Sequence, residues 1–186
     1  MIVLASASPR RKQLLESAGV EFVVRAGDID ETEQPGERPR AYALRVAQAK
    51  ALAVNAAFDE VVLAADTTVA LGMKILGKPL TAERARTTLR QLSGRTHQVH
   101  TAVVVRVGTR SVHRVVTTAV RFRELNEGEI ERYVATGEPL DRAGGYAIQG
   151  GGGSLVDRVT GSYTAVVGLP LREALALLAE AACPAR

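Results

Sequence analysis

The sequence holds one cysteine, no tryptophan, and only three phenylalanines and four tyrosines in 186 residues. A single thiol, Cys183, excludes an intrachain disulfide framework and a thiolate metal cluster, and it reads as an incidental thiol near the C-terminal end. So few aromatics argue against a single-strand nucleic-acid binder, whose bases need rings to stack on. No apolar run reaches the roughly 18 residues that a membrane-spanning helix requires. Met1 leads into a short apolar run with Arg10 and Arg11 close behind, so no signal peptide is read. A cytoplasmic chain with no membrane or nucleic-acid partner is expected. Also missing are G-x-x-x-x-G-K-[ST], G-x-S-x-G and H-E-x-x-H, which sets aside a Walker-type loop, a serine-hydrolase elbow and a zincin.

What is there is a globular chain. Hydrophobic residues make up 46% and charged ones 24%, enough to bury a real core, and one domain over 1–186 is expected. The net charge of +4 suits an anionic ligand but is too mild to demand nucleic acid. The pattern predicts an α/β fold. Ile2–Ala5 reads as a strand, Pro9 to Gly19 as a helix, and 20–24 as a second, parallel strand. A long helix is predicted over Pro39 to about Ala56, a central strand over 61–65 ending at Asp66-Thr67-Thr68, an extended segment over 69–71, and a helix over about Ala82 to Leu92. Gln98–Val107 and Ser111–Arg121 flank Gly108-Thr109-Arg110 as a long hairpin. Asn126 is placed to cap a helix that Gly137 ends, and a last helix runs from about Pro170 to Ala182. His97, His100 and His113 show no metal-ligand spacing and read as sheet residues.

The chemistry gathers at four places. Ser6-Ala7-Ser8-Pro9-Arg10-Arg11-Lys12 puts three cations in a first helical turn, where the macrodipole favours anions. Ser8 is expected to cap that helix with its hydroxyl; the turn is either a phosphate site or a solvated basic turn with an ordinary cap. Asp66, at a strand end, can hold a divalent metal or accept a proton from water, or can serve only as a turn-forming residue. Glu31, with Asp28 and Asp30, offers carboxylates that share a metal with Asp66 or form a solvated loop. Lys50 and Lys78 are further cations on separate elements. In Gly144–Gly153, glycines allow close backbone approach and Gln149 can read a base edge, the alternative being a bulged edge segment. Carboxylates and cations without an evident nucleophile fit metal-assisted attack of water on a phosphoanhydride.

These residues resemble a known family. Leu4-Ala5-Ser6-Ala7-Ser8-Pro9-Arg10-Arg11, Ala65-Asp66-Thr67, Ile75-Leu76-Gly77-Lys78-Pro79, Ser93-Gly94-Arg95-Thr96-His97 and Ala143-Gly144-Gly145-Tyr146-Ala147-Ile148-Gln149-Gly150 resemble, in order, the signature blocks of Maf proteins. The resemblance implies an inosine-triphosphatase-like (Maf/Ham1) architecture, a mixed twisted sheet flanked by helices in two lobes about a central cleft. It implies a nucleoside triphosphate pyrophosphatase that uses Mg²⁺ or Mn²⁺, usually a homodimer. The Tyr146–Gly150 block looks like the subfamily acting on dTTP and UTP. Carried over residue by residue, Asp66 accepts the proton of water and Glu31 joins it at the metal. Ser8, Arg11, Lys50 and Lys78 bind phosphates, and Arg10, Thr67 and Gln149 separate substrate classes. The family name also implies a second role, a nucleotide-binding regulator of septum formation with little catalysis. Gly150–Gly153 is longer in glycine than the family pattern and reads as loosening that wall.

Overall fold

Ile2–Leu4 (β1) is followed by Pro9–Ser17 (α1), Val23–Val24 (β2), Pro39–Ala53 (α2), Val61–Leu71 (β3), Lys74–Leu76 (β4) and Ala82–Leu92 (α3). Then come Thr96–Val107 (β5), Arg110–Phe122 (β6) and Glu127–Ala135 (α4), and three short 3-10 turns at Glu138–Asp141, Ala143–Gly145 and Gly151–Leu155. Val156–Thr160 (β7), Tyr163–Val167 (α5) and Leu171–Ala182 (α6) come last among the described residues. The computed structural model describes residues 1–182, so Cys183 lies outside the described residues.

The strands form one mixed sheet in the order β2-β1-β3-β5-β6-β7, with β4 also on β3. β2 and β1 run parallel to each other and to β3, and the remaining pairs are antiparallel. Val- and Thr-rich stretches on both sides of a glycine-containing turn form the expected hairpin, with Val107 facing Arg110. Asn126 caps α4 in a full capping box with Glu129.

Two-residue alternation along β3 and β5 divides the core. Val62, Ala64, Ala102 and Val104 meet Ala43, Ala47 and Ala51 of α2 on one face. Leu63, Ala65, Val103 and Val105 meet Leu169, Ala174 and Leu177 on the other. The far ends of the same strands carry a separate cluster, in which Val69, Val99, Val120 and Phe122 pack with Leu89 of α3, Ile130 of α4 and Tyr146. One sheet thus serves two lobes.

Several expected boundaries move. The strand expected to end at Asp66-Thr67-Thr68 instead runs through them without a break into the extended segment 69–71, because Asp66, Thr67 and Thr68 stay in register with Ala102, Thr101 and His100 of β5. Asp66 is therefore a mid-strand residue. The second strand is only Val23–Val24, since Val20 and Phe22 turn into the core instead of pairing. The helix α2 ends at Ala53. The glycine-rich stretch is neither strand nor bulged edge but 3-10 turns, and 163–167 is a short helix capped by the Ser162 hydroxyl.

The continuation of β3 creates the cleft. One edge of β3 is covered by β1 only as far as Leu63, and β4 takes up that edge only from Val69. Val61 N–H donates to Met1 O and Leu63 O accepts from Ala5 N–H, so alternation turns the polar backbone groups of Ala65 and Thr67 toward the gap.

Candidate active site

The gap opens into a cavity of about 780 Å³ reached from both lobes. Asp66 shares the sheet face of Val62 and Ala64, and so points toward α2. On α2, Lys50 lies one turn beyond the buried Val46 and reaches the same place. Its Nζ donates to Asp66 Oδ1 at 2.8 Å and to Glu31 Oε1 at 2.7 Å. Asp66 Oδ2 accepts from the Thr68 hydroxyl at 3.2 Å. Glu31 comes from a loop with no regular structure, held because the Tyr42 hydroxyl donates to the Glu31 carbonyl at 2.8 Å. Burial, followed by the Asp66 and Glu31 charges, pushes the Tyr42 hydroxyl up to about 12, so it stays a donor at neutral pH.

Across the gap, α1 begins at Pro9 with no acid in its first turn. Ser8 occupies the N-cap position, but its hydroxyl makes no capping bond, which corrects the expectation. The Ser6 hydroxyl instead accepts from the Ser8 N–H at 3.3 Å and from Arg11 at 2.9 Å. Arg11 is buried, donating through Nε to Gly168 O at 2.8 Å and, at 3.5 Å, to the Thr67 hydroxyl. Thr67 points to the sheet face opposite Asp66, where Thr101 also donates to it at 3.1 Å. Arg11 makes no ion pair among the described residues. Desolvation lowers its guanidinium, and the nearby Asp66 and Glu31 charges oppose that. For Arg10, burial and then Arg142 and Arg11 act in the same lowering direction. Like charges this close favour an anion between them.

The remaining wall is Tyr146–Gln149. Tyr146 is held by His97, whose Nε2 lies 2.8 Å from its hydroxyl, and both rings meet Phe122 edge-on. Desolvation drops His97 to about 4, so the imidazole is neutral. Gln149 is exposed at the mouth, and Lys78 pairs with Asp141 at 2.7 Å.

The model of the Maf-like protein family matches residues 1–181. The chain belongs to the Maf family. It is 54% identical to the dTTP/UTP pyrophosphatase of Anaeromyxobacter dehalogenans (strain 2CP-C), covering 98% of this chain and 95% of that one. To the dTTP/UTP pyrophosphatase of Myxococcus xanthus (strain DK1622) it is 53% identical, over 99% and 94%. Among solved structures it is similar to a HAM1 protein from Coxiella burnetii, with a TM-score of 0.49 and 18% identity over 96% of each chain.

In this Maf chain Ser8, Arg10, Arg11, Glu31, Lys50, Asp66, Thr67, Lys78 and Gln149 all line the cleft. Asp28 lines it as well, whereas Asp30 turns away and accepts from the Thr32 N–H at 2.8 Å. Two residues were missed. Arg142 lines the cavity and its Nε is buried without a partner among the described residues; its place directly before the Ala143–Gly150 signature block was the available signal. Tyr42 gave none, because its partner is a backbone carbonyl eleven positions away.

Proposed function

We propose that this Maf protein is a nucleoside triphosphate pyrophosphatase acting on dTTP and UTP, releasing the nucleoside monophosphate and pyrophosphate. The observation that carries the reading is the Glu31–Lys50–Asp66 cluster facing Arg10, Arg11 and Arg142 across one cleft. The names of full-length relatives near 50% identity support the same substrates.

In this reading the triphosphate lies along the start of α1, its charge met by Arg10, Lys78, the buried charge of Arg11 and the Ser8 hydroxyl. Water attacks the α-phosphorus, Asp66 takes its proton, and the bond to the β-phosphate oxygen breaks so that pyrophosphate leaves. Lys50 and the Thr68 hydroxyl hold the two Asp66 oxygens, fixing the carboxylate toward the gap. Thr67 acts through Arg11, and Gln149 faces the base.

Among the described residues no three histidine, cysteine or carboxylate side chains converge closely enough to hold a metal by themselves. Glu31 and Asp66, tied to one lysine, supply the oxygen donors that suit Mg²⁺ or Mn²⁺ when substrate phosphates complete the shell. Such an ion, when bound, neutralises phosphate charge. The assembly proposed is a homodimer, supported by β2, a free sheet edge whose Val23 and Val24 are exposed. Light scattering that gives a monomer mass overturns the dimer.

The test is a panel of canonical nucleoside triphosphates with Mg²⁺, reading pyrophosphate against orthophosphate. Pyrophosphate from dTTP and UTP, lost in Asp66→Asn, is the expected result. Orthophosphate release, or no turnover, overturns the reading.

A further inference from the structure

Four glycines in a row, 150–153, are expected to leave a loose wall, and the structure has the opposite. Glu138 opens the first 3-10 turn and folds its carboxylate under this loop. Its Oε1 accepts from the Tyr133 hydroxyl at 2.6 Å and from Gly152 N–H at 3.1 Å, and Oε2 accepts from Gly151 N–H at 3.1 Å. The Tyr133 hydroxyl in turn accepts from Ala147 N–H at 3.1 Å. Tyr133 is buried in the α4 core, so the loop is tied to a helix through one carboxylate and one phenol.

The glycines are what permit this. A Cβ on Gly150 would overlap the Glu138 carboxylate, and one on Gly152 would come within 2.6 Å of the Tyr133 oxygen and 2.8 Å of the Ala147 backbone. Among the described residues no lysine or arginine forms a salt bridge to Glu138. Its charge is held by backbone N–H groups, a charge-assisted arrangement that fixes geometry as well as energy. Between the clamped Ala147 and Gly151 the chain turns back, Gly150 N–H donating to Ala147 O at 3.0 Å, with Gln149 inside that turn. The residues so held are those facing the proposed base, on the opposite wall from Asp66, Lys50 and Glu31.

We propose that Glu138, acting with Tyr133, is a positioning residue for nucleobase selection: it sets the Tyr146–Gln149 wall and leaves the reacting phosphates untouched. This rests on the triphosphate reading above. Burial pushes the Glu138 carboxyl up, but the Tyr133 hydroxyl, the Gly152 and Gly151 N–H groups and, least, the Arg142 charge outweigh it and hold the group below the usual carboxylate range. Glutamine at this place brings one acceptor oxygen and a donor NH₂ to three donors, so the clamp cannot be rebuilt isosterically.

The experiment uses the full chain with dTTP, UTP, CTP, dATP and dGTP, comparing wild type, Glu138→Gln and Tyr133→Phe, with Tm measured on each. In Glu138→Gln, KM for dTTP and UTP is expected to rise about tenfold, and the preference for them over dGTP to fall by a similar factor. Its kcat on UTP should stay within about threefold of wild type, and Tyr133→Phe should move the same way by less. If Glu138→Gln does not fold, Tyr133→Phe alone decides. A fall in kcat for all nucleotides with unchanged base preference overturns the proposal, and so does a variant indistinguishable from wild type. A wild-type chain that turns over none of them sinks the enzymatic reading itself, an outcome plainly separate from a selective wild type with an equally selective variant.

Discussion

The wall that carries Asp66 rests on packed alanine and valine between α2 and β3, whereas the wall that carries Gln149 rests on hydrogen bonds from side chains to backbone. On the first, Ala43, Ala47 and Ala51 bring a helix close to a sheet, and Lys50 and Asp66 project from regular elements whose positions van der Waals packing has set. On the second there is almost no regular structure, and Glu138, Tyr133 and His97 supply the order. Asp66 and Lys50, proposed to act at the reacting phosphate, are mounted on rigid elements, and Glu31 beside them comes from a loop pinned by Tyr42. The surface proposed to fit the base is made from a loop and then clamped. Changes on the two walls should therefore separate rate from selectivity.

The sharpest separation should come from Asp66→Asn, which keeps the shape of the side chain but removes the proposed proton acceptor. A loss of about 10³-fold in kcat is expected, with nucleotide affinity by calorimetry changed by less than about threefold. An equal loss of affinity would make Asp66 a structural partner of Lys50 and dissolve the contrast.

The second wall should show itself through pH. Burial holds His97 at about 4 in the folded chain, against 6.5 for an ordinary histidine. The unfolded chain therefore binds the proton first as pH falls. The neutral imidazole's contribution is complete above about 6.5 and is lost progressively toward 4, costing about 3 kcal/mol across that window. Urea denaturation at pH 7 and pH 4.5 reads this, and His97→Gln should flatten the slope.

Gly152→Ala should then cost about 2 kcal/mol in stability and lower base preference more than kcat, because its methyl group meets the Tyr133 oxygen and the Ala147 backbone. Kinetics with UTP and dGTP would check this. A uniform fall in kcat would mean that the walls are coupled.

The smallest effect compares two helix starts. Asn126→Ala removes a capping box and should cost about 1 kcal/mol. Ser8→Ala removes no capping bond and should leave Tm within about a degree while raising KM severalfold. A stability loss in Ser8→Ala as large as that in Asn126→Ala would return Ser8 to an ordinary cap.

The packed wall was legible in the sequence and the clamped one was not. Alternating valines announced β5 and β6, Asn126 and Gly137 announced the two ends of α4, and the cations near Ser8 stood out because they oppose a helix dipole. Asp66 was found for a reason that proved wrong in detail. A charged residue followed by two threonines reads as the end of a strand, yet ten paired positions with β5 and a lysine from α2 keep it within one. Gly150–Gly153 misled for a related reason. Glycine signals freedom only while nothing is known of what approaches it, and Glu138 is twelve positions upstream of the first of them. The pairing of His97 with Tyr146, 49 positions apart, left no local trace either.

The gap on β3 has a mechanical consequence. Among the described residues β3, β5 and β6 run continuously beneath both lobes and join the two walls of the cleft at its floor. Narrowing the mouth around a ligand must flex a hydrogen-bonded ribbon three strands wide, which behaves as a leaf spring and not as a door on a pin.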